Sequence, residues 1–314
     1  MKLIRYLLTV FTISFLITWG ASWVTNKGLL SSQVDFYGKM NAASDTGKKT
    51  NGLIVGSSRA LVNLDTRILD SVTGLRSYNY GLNAVTIKTC FNIMKYALHY
   101  QKHVKYTLLN IDYNMFNVSK DPYKDAYYYP FEKNFQGFLM KDSTANKFIH
   151  KLNFLDISLY DDFAKYAAVD GWFRPGRTID GIYNGFYPHK NVNDFTESPV
   201  NDLARGEIQI NETDYSVLND IVDLCKRNNI KLAFVIAPYF KKDFPGNYYT
   251  NYYSLMKRIK HVAQQNDILF LDYASLPITS DKAYFYNGNH LNMKGAAVYS
   301  AIVADTIKKY IVSN

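Results

Sequence analysis

The sequence predicts a three-layer α/β domain on a five-stranded parallel sheet, and three observations predict it. Strand-like runs alternate with segments whose apolar residues recur at helical spacing. Those runs are continuously apolar, as in strands covered on both faces by helices. At 314 residues and 36.1 kDa, the chain is long enough for one large α/β domain or two small ones.

Taken in order, the elements begin with an apolar stretch. Lys2 and Arg5 precede nineteen uncharged residues, Tyr6 to Val24, which as a helix reach about 28 Å, close to a bilayer's hydrocarbon core. Trp19 and Trp23 stand where an aromatic belt would, and the basic flank puts the N-terminus in the cytoplasm. A cleaved signal peptide is the competing reading. Its apolar region is usually shorter, and a cut after Ala21 would place Trp19 at the −3 position, although a cut after Ser22 fits better. The expectation is a single-pass anchor over 1–27, a stalk over 28–50 and an extracytoplasmic domain over 51–314.

GLIVG (52–56) reads as the first strand, and Asp65 caps a short helix after it. RSYNYG (76–81) is the second strand, Thr86 to Tyr100 a helix, and YTLLNID (106–112) the third strand. Residues 113–205, rich in Tyr, Phe, Asn and Asp, break the alternation and read as an inserted lobe. Beyond it come a helix from Tyr215 to Arg227, strand KLAFVIAP (231–238), a helix from Tyr249 to Gln265, strand ILFLDYA (268–274) and a helix from Asn292 to Tyr310. A flavodoxin-like strand order is expected.

Composition excludes several classes. With 47% apolar and 20% charged residues the chain is not disordered. Its net charge of +9 comes from scattered lysines without a basic run, so no nucleic-acid partner is expected. The cysteines, Cys90 and Cys225, form neither a disulfide framework nor a metal site, and no cofactor is implied. The aromatic content of 16%, with 27 Tyr, hints at exposed rings of the kind that bind sugars. Tyr127, Tyr128, Tyr129, Trp172, Phe173, Tyr183 and Phe186 read as either the lobe's own core or a sugar platform.

Two chain ends carry chemistry. Ser57 and Ser58 follow the first strand, where a serine entering a helix can present its hydroxyl above the sheet edge. His290 precedes a helix that Asn292 can cap, which aims it at the same carboxyl edge. His99 and His103, at i, i+4, lack a third ligand and read as a solvated helix end; His150, His189 and His261 read as surface residues.

GSS (56–58), YNYGLNA (78–84), NIDYN (110–114) and NGNHLN (287–292) together resemble the SGNH (GDSL-like) hydrolase superfamily. The likeness is to its membrane-anchored branch acting on cell-surface polysaccharides, such as the alginate O-acetylation and teichoic-acid D-alanyl transfer proteins. It covers about 52–112 and 206–314. The resemblance implies Ser58 as nucleophile, His290 as base, and oxyanion donors near Gly81 and Ala84. Asn114 is the side-chain donor it implies, with Asn110 the alternative. Three residues before His290 the family carries Asp and this chain carries Asn287. Three outcomes stay open: Asn287 orients the imidazole as a neutral partner, Asp281 or Asp272 does so, or the site is degenerate. The expected function is acyl-ester chemistry, transfer or hydrolysis, on a cell-envelope polysaccharide beside a membrane-bound acyl-donor protein. A general small-ester esterase and a non-catalytic glycan-binding or complex-assembling protein are the rivals.

Overall fold

All five apolar runs pair as strands in the computed structural model, which describes residues 1–117, 121–139, 143–177, 182–190 and 206–312. The chain divides into two compact units, Met1–Asp45 with Tyr123–Thr178, and Thr46–Pro122 with Ile179–Asn314.

The second unit holds the sheet. Strands β1 (Gly52–Gly56), β2 (Ser77–Asn79), β3 (Tyr106–Asn110), β4 (Lys231–Ile236) and β5 (Leu269–Asp272) run parallel in the order β2-β1-β3-β4-β5. That is the flavodoxin-like order, with its switch point between β1 and β3. Pleat alternation sends Ile54, Leu108, Ala233 and Val235 to one face. There they join Leu69 of α4 (Thr66–Thr73) and Tyr299, Val303 and Ile307 of α11 (Met293–Val312) in one buried cluster. Leu53, Val55, Leu109 and Phe234 are buried on the opposite face, where α5 (Ile87–Tyr100) meets β1 and α9 (Glu212–Arg227) meets β4.

Caps set several boundaries. Helix α9 starts at Glu212, ahead of its visible apolar spacing, because the Asn211 side chain accepts the N–H groups of Thr213 and Asp214. Asp65 caps α4 and the left-handed Gly74 ends it. The Asn292 side chain accepts from Gly295 N–H and opens α11. Helix α3 (Ser58–Asn63) leaves β1 after one intervening residue, and α10 (Tyr252–Gln265) packs on β5. A small antiparallel hairpin, β6 (Phe285–Asn287) and β7 (His290–Leu291), pairs Asn287 with His290 just before α11.

The first unit joins the segment read as an anchor, most of the one read as a stalk and part of the inserted lobe. Helix α1 (Lys2–Leu29) is long and apolar enough to cross a membrane, yet it does not stop at residue 27. Exposed apolar side chains from Leu3 to Trp19 give way to buried Ser22, Thr25, Gly28 and Leu29. That end packs on α8 (Asp162–Phe173), where Gly28 and Gly171 bring the two backbones so close that a Cβ on either would collide with the other helix. The segment read as a stalk forms α2 (Asp35–Ser44), whose Phe36, Tyr37 and Met40 are fully buried. Rings of Tyr123, Tyr127 and Tyr128 pack around Phe36 at 5.0–5.9 Å between centroids. Of the aromatics that read as either core or platform, Tyr127, Tyr128 and Tyr129 are buried in a core closed by α2, Phe186 is buried in the cluster beside the sheet, and Trp172, Phe173 and Tyr183 are exposed.

Two more helices, α6 (Tyr129–Glu132) and α7 (Thr144–Lys151), bring a charged centre into this unit. His150, expected at the surface, lies 2.9 Å from Asp156 through Nδ1 and 2.9 Å from Glu132 through Nε2, stacked on Tyr129. Burial pushes its pKa down, but the hydrogen bonds to Asp156 and Glu132 outweigh that and carry it up to about 9. A raised folded-state pKa stabilises the fold fully below the unfolded value of about 6.5, and that contribution disappears as pH rises through 9. The thermal stability of the full chain should therefore fall between pH 6.5 and 10, and His150→Gln should flatten that dependence. An unchanged slope in the variant would show that the three groups are not linked to folding.

Candidate active site

Both residues after β1 act through their hydroxyls, in different ways. Gly56 closes the strand at φ +153, and a Cβ there would press on the backbone oxygen and Cβ of Asn110, its partner in register on β3. Ser57 caps α3: its Oγ accepts from Arg59 N–H at 3.3 Å and donates to Asp112 Oδ2 at 3.0 Å, so this hydroxyl is committed. Ser58 is the first residue of α3, so its own N–H has no acceptor within the helix.

The hairpin β6–β7 delivers the histidine. His290 Nε2 lies 2.8 Å from Ser58 Oγ, and Nδ1 lies 3.0 Å from Asn287 Oδ1. That same amide oxygen accepts the backbone N–H groups of Asn289 and His290, each at 3.0 Å. Two backbone donors fix which end of the amide faces the ring, so Nδ1 must carry the proton and donate it. Nε2 is then bare and accepts the Ser58 hydroxyl. Burial first, then the Arg59 cation and His189, lower the His290 pKa to about 4. The ring is therefore neutral, in the base form, at neutral pH.

The carboxylates weighed as alternatives are elsewhere. Asp281 Oδ1 accepts from Ala283 N–H and Asp272 Oδ1 from Ala274 N–H, and neither is a hydrogen-bond partner of His290. Of the expected oxyanion donors, Gly81 is already engaged. Gly81 N–H is taken at 2.9 Å by the Asn79 side chain, which turns the backbone after β2, so it is not available to a substrate. Ala84 adopts a left-handed φ of +53 and Asn114 is exposed on a short 3-10 turn; neither hydrogen-bonds to Ser58 or His290. The amide at the end of β3 is the buried one. Asn110 is 0% exposed, and among the described residues neither side-chain atom has a partner, a costly state for a buried amide. Its backbone oxygen and Cβ, not its amide, are what lie against Gly56.

His189 is a site neighbour that the sequence pattern does not reveal. Its ring stacks on Tyr286 at 3.9 Å, meets His290 edge-on at 5.9 Å, and lies 6.5 Å from the exposed Tyr187. Burial lowers its pKa, so it too is neutral. Among the described residues no cluster of His, Cys, Asp and Glu could hold a metal ion.

No family model and no curated protein matches the chain. Among solved structures it is similar to a Desulfitobacterium hafniense protein named as lipolytic and of the G-D-S-L family, at 11% identity and a TM-score of 0.41, over 84% of this chain and 99% of that one. It is also similar to a Bacteroides fragilis protein named as an acylhydrolase, at 15% identity and a TM-score of 0.43, over 86% and 95%. Likeness this distant adds nothing to the α/β architecture that the chain's own sheet shows.

Proposed function

We propose that the chain carries out serine-based acyl-ester chemistry of the SGNH type. One observation carries the reading: Ser58 Oγ, His290 and Asn287 are linked in a row at 2.8 and 3.0 Å, with a tautomer that leaves Nε2 to take the serine proton. Ser58 Oγ attacks the ester carbonyl while Nε2 accepts its proton. Ser58 N–H, at the start of α3, is suited to the oxyanion. The imidazolium returns the proton to the departing alcohol, leaving an acyl-serine. A second hydroxyl, from water or a sugar, gives its proton to Nε2 and takes the acyl group.

The substrate we infer is an O-acylated carbohydrate of the cell envelope. The exposed Tyr187 ring and the half-buried Tyr286 and His189 rings beside His290 support it, since flat aromatic faces suit sugar rings. Helix α1 supports a membrane-anchored enzyme that works extracytoplasmically beside a membrane-bound acyl donor. The test is p-nitrophenyl acetate turnover by the full chain in detergent, with and without a soluble oligosaccharide acceptor. Transfer shows as acetylated oligosaccharide with nitrophenol released in excess of acetate. Release of equal acetate and nitrophenol marks a hydrolase, and no release at all contradicts ester chemistry.

A further inference from the structure

We propose that Arg59 is a positioning residue of this site: its buried guanidinium ties the Asn287–His290 turn to α3 and sets a positive charge beside the imidazole. This rests on Ser58 and His290 being the reacting pair.

Arg59 follows the serine directly, yet its side chain turns inward and is only 2% exposed. Nε donates to Asn289 O at 3.2 Å, in the turn that holds Asn287 and His290. Nη2 donates to Pro238 O at 2.9 Å and to Ala237 O, at the carboxyl end of β4. The guanidinium carbon sits 3.3 Å from the centre of the Tyr239 ring. Among the described residues no carboxylate pairs with it, and Nη1 has no partner. Three carbonyls and a ring face, all neutral, therefore offset a buried cation.

A guanidinium suits this place because its fork spans two chain segments at once. From α3, Ser58 bonds His290 Nε2, Arg59 bonds Asn289 O, and Asn63 Oδ1 accepts Leu291 N–H at 2.9 Å. One six-residue helix thus grips the histidine hairpin at three successive residues. Lysine could keep the charge there, but could not make the three carbonyl bonds from a fixed plane.

The charge has its own effect. The groups facing His290 are Ser58 and Arg59 from α3, His189 from the segment 182–190, and Asn287 in its own hairpin. Asp243, whose carboxyl is pushed up by burial, lies against Gly288 of the same turn. Of these, Arg59 is the permanent cation, and it opposes protonation of the ring.

The two effects separate in the rate at which a fluorophosphonate labels the full-length protein between pH 3.5 and 8. Wild type should show a plateau with an acid limb near 4, set by His290. Arg59→Met should lower the plateau by tenfold or more through misplacement, and move the limb up by about one pH unit as a like charge is removed. Arg59→Lys should lower the plateau while leaving the limb in place. A wild-type plateau in Arg59→Lys, or an unmoved limb in a folded Arg59→Met, would overturn the assignment; the lysine arm stands alone if the methionine variant does not fold. Absence of labelling in wild type would instead contradict the Ser58–His290 reading on which it rests.

Discussion

Ser58→Ala and His290→Ala should each reduce ester turnover by about 10⁴–10⁶-fold, and the double variant should be hardly worse than either single one. The reason is geometric. The hydroxyl is 2.8 Å from Nε2, and among the described residues no other base is hydrogen-bonded to it. Removing the serine deletes the nucleophile, and removing the imidazole leaves an alcohol that is not ionised at neutral pH. Ser57→Ala should behave differently. Its hydroxyl is engaged with Asp112 and with Arg59 N–H, so its loss should act on the cap of α3, reducing stability by about 1 kcal/mol before it touches chemistry. Steady-state kinetics on the four variants, with melting curves beside them, checks this. Equal losses for Ser57→Ala and Ser58→Ala would show that the wrong hydroxyl has been chosen.

Asn287→Asp should raise ester turnover by tenfold or more. The amide oxygen already sits 3.0 Å from Nδ1 and is held by two backbone N–H groups, so a carboxylate of the same shape can take its place without rebuilding the turn. What it adds is charge. A carboxylate stabilises the imidazolium that forms when Ser58 gives up its proton, and so raises a His290 pKa that burial and Arg59 hold near 4. A base at that value is always neutral but accepts protons poorly, and moving it toward neutrality improves general-base efficiency. The acid limb of the pH–rate profile should move up together with the plateau. Asn287→Ala should lower turnover by less than His290→Ala, since it frees the ring without deleting it. An inert Asn287→Asp, together with a damaging Asp281→Asn, would transfer the orienting role to a residue that makes no contact with the ring here.

The sheet was legible because β1, β3, β4 and β5 read as apolar runs, from GLIVG to LFLD, whereas β2 is the polar Ser-Tyr-Asn at the sheet edge. Only β5 gives a weak run in burial, its Leu269, Phe270 and Leu271 being half-buried at the sheet edge. Ser58 and His290 were legible as candidates because each borders a recognisable element, a strand end and a helix cap. Their meeting is a property of the topology, which folds 232 positions of separation into one hydrogen bond.

Other features exist only in three dimensions. Whether Asn110 or Asn114 holds the buried amide depends on where β3 stops pairing, and no residue type marks that point. Arg59 reads as an ordinary charged helix residue, since nothing local says that the carbonyls of Ala237, Pro238 and Asn289 will converge on it. Helix α1 extends into the first unit through Gly28 and Gly171, residues whose small size matters only once two helices cross. Likewise α2 has little apolar periodicity of its own, and its burial comes from tyrosines more than eighty positions further on.

If His290 activates Ser58, a serine-reactive phosphonate will find it. The most direct measurement is fluorophosphonate labelling of the full-length protein at pH 7, followed by peptide mass spectrometry. A single phosphonylated site is expected at Ser58, absent in Ser58→Ala and at least a hundredfold slower to form in His290→Ala. A label that persists in Ser58→Ala, or a wild-type protein that takes none, would contradict it.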